Sequence, residues 1–229
     1  MATRVSEAMP NGPRYEPTPK WVRGELDGET VVDSKRAVLV WEEGAVVPGY
    51  AFPREDMKVE PLEAHLRDCE DRELEGYAAV PWDAMDRWLE EEEEVLGHPR
   101  DPFHRVDIRR SSRRVVVALD GERVAETSRP SLLFETGLPV RFYMPLEDVR
   151  EDLLIPSDKE TICAYKGRAS YWSLRTGERV HEDIVWCYRE PLADAGQIRD
   201  LVAFFNERAD ITVDGEQLKR PRTQWSVAA

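Results

Sequence analysis

Cysteine is scarce: Cys69, Cys163 and Cys187 are the only three in 229 residues. An odd number of widely spaced thiols gives no disulfide framework and suits a reducing compartment. No apolar run approaches the roughly 20 residues that a membrane-spanning helix needs, and the opening residues, Met1 to Glu7, lack the apolar core of a secretory signal. A cytoplasmic protein with no membrane partner is expected. Basic residues are in deficit, 32 Lys and Arg against 46 Asp and Glu, for a formal charge of -14. That balance argues against general affinity for nucleic acid, which needs clustered cations. Paired Cys-x-x-Cys knuckles, the usual frame of a structural zinc site, are missing, and no metal or cofactor is expected.

What is present suffices for a core. Hydrophobic residues make up 41% of the chain, with seven Trp, seven Tyr and six Phe, so disorder throughout is excluded. The charge is uneven: Arg54 to Val95 holds 16 acids against five bases, ending in the run Glu90 to Glu94. Such a run reads as a solvated helix face or the end of a segment, or else as a docking surface for a cationic partner. The mildly basic stretch Arg100 to Arg123 next to it suggests self-complementary packing, within the chain or between two copies.

Repeats decide the organisation. Leu26-Asp-Gly-Glu29 recurs as Leu119-Asp-Gly-Glu122, and Arg36, Leu39, Glu42 and Gly44 recur as Arg129, Leu132, Glu135 and Gly137. After a one-residue gap, Pro53, Glu55 and Asp56 match Pro145, Glu147 and Asp148. Matches in this order, at an offset of 93 and then 92, indicate a duplication. In each repeat a β-rich run, Val22 to Leu26 or Val115 to Leu119, meets an Asp-Gly turn and a return strand. A third strand follows, Ala37 to Trp41 or Ser131 to Phe134, and Pro-x-Glu-Asp then predicts a short helical turn. The expected fold is mainly β, two small twisted domains with a few short helices. Expected boundaries are 18–96 for the first domain, 97–112 for a linker and 113–228 for the second domain.

The repeats then diverge. Tyr77-Ala-Ala-Val80 matches Leu201-Val-Ala-Phe204 at an offset of 124, so the second repeat holds roughly 30 residues that the first lacks. They include Cys163-Ala-Tyr-Lys-Gly-Arg-Ala-Ser-Tyr-Trp172 and Val185-Trp-Cys-Tyr188. A ligand site is therefore sought in the second repeat.

Three strings carry a family resemblance: Arg129-Pro-x-x-Leu-Phe-Glu-Thr-Gly-Leu-Pro-x-Arg-Phe-Tyr143, Cys163-Ala-Tyr-Lys-Gly-x-Ala-Ser-Tyr-Trp172 and Phe204-Phe-Asn-Glu-Arg208. Over residues 20 to 228 the chain resembles the bacterial "domain of unknown function 427" family in its tandem actinobacterial form. Ala164 stands where that family usually has proline. The resemblance implies a β-tent-like fold related to zinc-binding Mss4-like domains, and it carries a nucleotidyltransferase-like label. The residues give that label no support: there is no Gly-Ser motif followed by a paired Asp-x-Asp, and no phosphate-cradling glycine loop.

Read as an alternating strand, the inserted arm puts Tyr165, Gly167 and Ala169 on one side and Lys166, Arg168 and Ser170 on the other. Lys166 with Glu135 and Arg141 would form a charged cluster on a floor of Tyr143, Tyr165, Tyr171 and Trp172, with Arg129 nearby. An aromatic floor with a few polar groups suits an unidentified small molecule. The same aromatics also suit a plain β core. An enzymatic alternative uses Lys166 or Cys163 as nucleophile, the latter helped by His181, or Glu135 as general base. A third reading is an interaction module docking through the acidic first domain, as a homodimer, an intramolecular pseudo-dimer or with another partner. His98, Asp101, His104 and Asp107 are of metal-ligand types, but two histidines six apart fit no regular ligand spacing. Pro99 and Pro102 favour an extended linker.

Overall fold

The computed structural model describes residues 14–69 and 71–226, which fall into two compact units, 14–103 and 104–226. The first contains β1 (Arg14–Pro17), β2 (Val22–Leu26), β3 (Glu29–Ser34), β4 (Val38–Trp41), β5 (Gly49–Pro53), β6 (Arg67–Asp68), β7 (Tyr77–Val80), β8 (Arg87–Glu90) and β9 (Glu93–Glu94). They form a large antiparallel sheet, β1-β4-β5-β7-β6, and a small one, β3-β2-β8-β9. The second unit contains β10 (Val106–Arg110), β11 (Val115–Leu119), β12 (Glu122–Thr127), β13 (Ser131–Glu135), β14 (Arg141–Pro145), β15 (Leu154–Cys163), β16 (Gly167–Thr176), β17 (Arg179–Cys187), β18 (Leu201–Phe204), β19 (Asp210–Val213) and β20 (Glu216–Gln217). Its sheets are β10-β13-β14-β18-β17-β16-β15 and β12-β11-β19-β20. Strand β10 lies within the 97–112 stretch. No helix among the described residues is long and apolar enough to cross a membrane.

The two orders superimpose strand for strand, and the large sheet of the second unit is longer by β15 and β16. Duplication extends to backbone detail. Asp27-Gly28 and Asp120-Gly121 both turn with two positive φ angles, 52° and 78° in the first unit and 51° and 81° in the second. Two successive positive φ values match the twist of a tight hairpin, and glycine adopts them without strain. The register slips at the same place, after Gly24 and after Val117. Each Pro-x-Glu-Asp forms a 3-10 turn, Arg54–Asp56 and Leu146–Asp148, with the proline just before it.

The run Glu90 to Glu94 differs from the expected helix face. It is the β8–β9 hairpin, with Glu91 at φ +53° in the turn. Three of its carboxylates meet cations, Glu90 with Lys20, Glu92 with Arg23 and Glu94 with Arg87, and Glu90 also accepts from Tyr50 Oη at 2.7 Å.

Side chains alternate across a strand, so each large sheet has two faces. In the first unit Tyr50 and Phe52 pack on Trp88 of the small sheet, with ring centroids 5.2 and 5.9 Å apart, which defines an inner face. Val38 and Ala51, paired with each other, lie on the outer face and form a small cluster with Leu74. In the second unit the positions matching Val38, Gly49 and Ala51 hold Ser131, Arg141 and Tyr143, and Ser131 pairs with Tyr143. By register Tyr171 opposes Trp186, which opposes Ala203, extending this outer face across the added strands. A small apolar face in one unit is thus a charged and aromatic face in the other.

Candidate functional site

The inserted arm is a hairpin, and its tip differs from the alternating strand expected. β15 ends at Cys163, β16 begins at Gly167, and Ala164, Tyr165 and Lys166 form the loop. Lys166 N donates to Cys163 O at 3.3 Å, and Gly167 follows at φ +96°. A three-residue hairpin needs a residue in the left-handed region at this point, which is why Gly167 ends the turn. The tip is pinned from outside: Leu192 N donates to Lys166 O at 3.1 Å, and a Cβ on Gly167 would stand 3.3 Å from Glu190 O. Tyr165 and Lys166 therefore both point inward and are both buried.

Lys166 Nζ donates to both carboxylate oxygens of Glu135, at 2.6 and 2.5 Å. Glu135 ends β13, and its Oε1 also accepts from His104 Nε2 at 3.0 Å. The His104 ring stacks on Tyr165 with centroids 4.0 Å apart. Side-chain exposure is 4% for Glu135 and 9% for Lys166. Burial alone would raise the pKa of Glu135, but the His104 hydrogen bond and the Lys166 charge outweigh it and hold the carboxyl below its usual range. The matched residue of the first repeat, Glu42, pairs with Arg67 at 2.9 Å, with both side chains about 60% exposed, at 60% and 62% respectively.

Arg141 is on the same face but bonds elsewhere. Its guanidinium grips Glu207 in a two-pronged pair at 2.7 and 2.8 Å, and both side chains are buried. Trp186, Phe205 and Trp225 surround it at 5.4–5.8 Å from ring centroids. Thr223 Oγ1 completes the set by donating to Glu207 at 2.6 Å.

Tyr143 lies between the two charge clusters, its Oη accepting from Trp186 Nε1 at 3.0 Å. Burial above all drives its pKa, and that of Tyr188, well above the ordinary phenol value. Both hydroxyls are within electrostatic reach of Glu135 and Cys163. Tyr171 Oη shares a hydrogen bond of 2.7 Å with Thr161 on the same face.

Two expected members, Trp172 and Arg129, stand apart. Trp172 opposes Val185 on the inner face, where alternation places it once Tyr171 faces out. Arg129 pairs with Glu147 and Asp148, as Arg36 does with Glu55 and Asp56, so this contact is common to both repeats. Half-buried Cys163 pairs in register with Gly167 at the tip. His181, the histidine considered for Cys163, instead bonds Asp120 and Thr176 near the other end of the hairpin.

The sequence pattern does not pair His104 with Glu135, nor Arg141 with Asn206 and Glu207, whose Oδ1 and carboxylate accept from it. The string Phe204-Phe-Asn-Glu-Arg208 was the available signal for the last two. The other candidates for a metal are engaged separately. His98 Nδ1 donates to Pro99 O at 2.7 Å, Asp101 accepts from Phe103 N at 2.8 Å, and Asp107 pairs with Arg105 and Arg109.

The sequence model of the family described as "Domain of unknown function (DUF427)" matches residues 14–80 and 107–215. The chain belongs to that family and carries its domain in tandem. No curated protein matches the chain.

Proposed function

We propose that the second unit of this tandem DUF427 chain is a small-molecule-binding domain. Its ligand contacts the Glu135–Lys166–His104 cluster, Tyr165 and the adjoining outer face around Tyr143 and Tyr171. The observation that carries this reading is the contrast at matched positions. One fold is stable with a small apolar outer face and an exposed Glu42–Arg67 pair. Its duplicate holds two buried ion pairs there, among buried aromatic side chains that include Tyr143, Tyr165, Tyr171 and Trp186. Burying charges costs desolvation that their attraction offsets only in good geometry, so stability alone does not account for them. His104, whose side chain is 19% exposed, is where a ligand would reach the cluster.

Binding is favoured over catalysis by the same pairing. Lys166 Nζ is engaged by both oxygens of Glu135 rather than left free to attack a substrate. A carboxyl held below its usual range is a weak general base near neutral pH.

The test is a Trp-fluorescence titration of a panel of small polar metabolites against wild type, Lys166→Ala and Glu42→Ala. A compound should shift the wild type and the Glu42 variant and fail with the Lys166 variant, and it should be recovered unchanged. If no compound shifts the signal, and Lys166→Ala is as folded and as active in cells as wild type, the proposal fails.

A further inference from the structure

We infer that the second unit has a separate site for a phosphate-bearing small molecule, in an arginine-lined groove between β17 and the segment Arg220 to Ser226. The groove has a volume of about 860 Å³, within the range of small-molecule sites. Its cations come from three separated stretches of chain: Arg179 and His181 on β17, Arg208 after β18, and Arg220 and Arg222 near the end of the described residues.

The acids nearby do not match them. Asp120 Oδ1 accepts from Arg179 at 3.0 Å, and its Oδ2 is shared by His181 at 2.8 Å and Thr176 at 2.9 Å. Asp210 takes Arg220 at 2.9 Å. Glu207, on the groove wall, is committed to Arg141. Arg208 bonds only backbone carbonyls, those of Glu182 and Asp183 at 2.9 Å, and its buried Nε has no partner. Exposed Arg222 makes no ion pair or hydrogen bond among the described residues. Glu182 is on the rim, and Asp183, which also acts on Arg208, pairs with Lys159 at 3.2 Å, so four arginines face the carboxylates of Asp120, Asp210 and Glu182.

Guanidinium groups present flat forks of N–H donors that match phosphate oxygens, and they stay charged at any working pH. The setting is also permissive. Residues 104–226 hold 20 basic and 21 acidic side chains, so nearly all of the -14 lies in residues 1–103. An anion approaching the groove meets a unit close to neutral. The site is distinct from the Glu135–Lys166 cluster and does not depend on it.

Isothermal titration of the full chain with inorganic pyrophosphate at low ionic strength tests the assignment. Saturable binding is expected that weakens with added salt. Arg222→Glu should weaken it about tenfold or more, the loss of one charge-assisted contact, and Arg179→Ala should weaken it less. Arg222 is exposed and makes no ion pair or hydrogen bond among the described residues, so its variant keeps the fold, and Arg67→Ala, an exposed change in the first unit, should bind pyrophosphate as wild type does. Three results overturn the assignment: no binding at millimolar pyrophosphate, binding unchanged in Arg222→Glu, or binding weakened as much in Arg67→Ala as in Arg222→Glu, which would make the effect one of overall charge.

Discussion

The two units share strand order, turn geometry and register slip, and differ in what the outer face of the large sheet carries. In the first, Val38, Ala51 and Leu74 make a small apolar cluster, and Glu42 meets Arg67 in solvent. In the second, the matched Glu135 is sealed under Lys166 and His104, and Arg141 replaces Gly49 to grip Glu207. One scaffold therefore supports either a plain face or a charged one. The difference arises from β15 and β16, whose hairpin tip delivers Lys166, and from a few substitutions on strands common to both units.

The comparison can be broken by removing one partner at a time, and the effects should follow burial. Arg141→Ala leaves a buried carboxylate with little compensation and should cost about 3–5 kcal/mol, read from urea denaturation of the second unit. Lys166→Met leaves Glu135 with His104 alone and should cost about 1–3 kcal/mol, the penalty of an unsatisfied buried group.

The pH dependence sharpens the same point. The folded-state pKa of Glu135 is depressed, so its contribution is fully present above the ordinary carboxyl value of about 4.3 and is lost as pH falls through the lower folded value. Glu135→Gln should remove that part of the acid-side loss, read from urea denaturation at falling pH.

Much of this architecture was legible in the sequence. Leu-Asp-Gly-Glu at a fixed offset marked the duplication, because a two-residue hairpin turn with two positive φ angles restricts which residues can occupy it. The extra strands were legible as an unmatched block, and the pairing of Glu135 with Lys166 followed from placing charge near an added arm. The tip geometry was not legible, since a short run containing one glycine reads equally as a strand or a turn until Gly167 is seen at φ +96°. The partner of Arg141 was missed because Glu207 is 66 residues away in sequence, and only the β14–β18 pairing brings their strands together. His104 was read with His98 and Asp101 because they are sequence neighbours, but β10 carries the chain to β13 and Glu135.

Two further effects complete the series. Gly167→Ala puts a Cβ 3.3 Å from Glu190 O in a left-handed conformation and should cost about 1–3 kcal/mol, seen as a lowered Tm of the second unit. Arg67→Ala removes a solvent-exposed partner in the first unit and should cost only about 0.2–1 kcal/mol. An Arg67 effect as large as that of Lys166→Met would erase the distinction between the two faces.

The central claim is that the outer face of the second unit, and not its plain counterpart, receives a ligand. Amide chemical shifts of the labelled full chain, followed while pooled small polar metabolites are added, test it most directly. The account predicts changes at His104, Glu135, Tyr165 and Lys166, with Val38 to Trp41 and Gly49 to Phe52 unmoved. Changes confined to the first unit, or no change at the second unit's outer face with any pool, would contradict it.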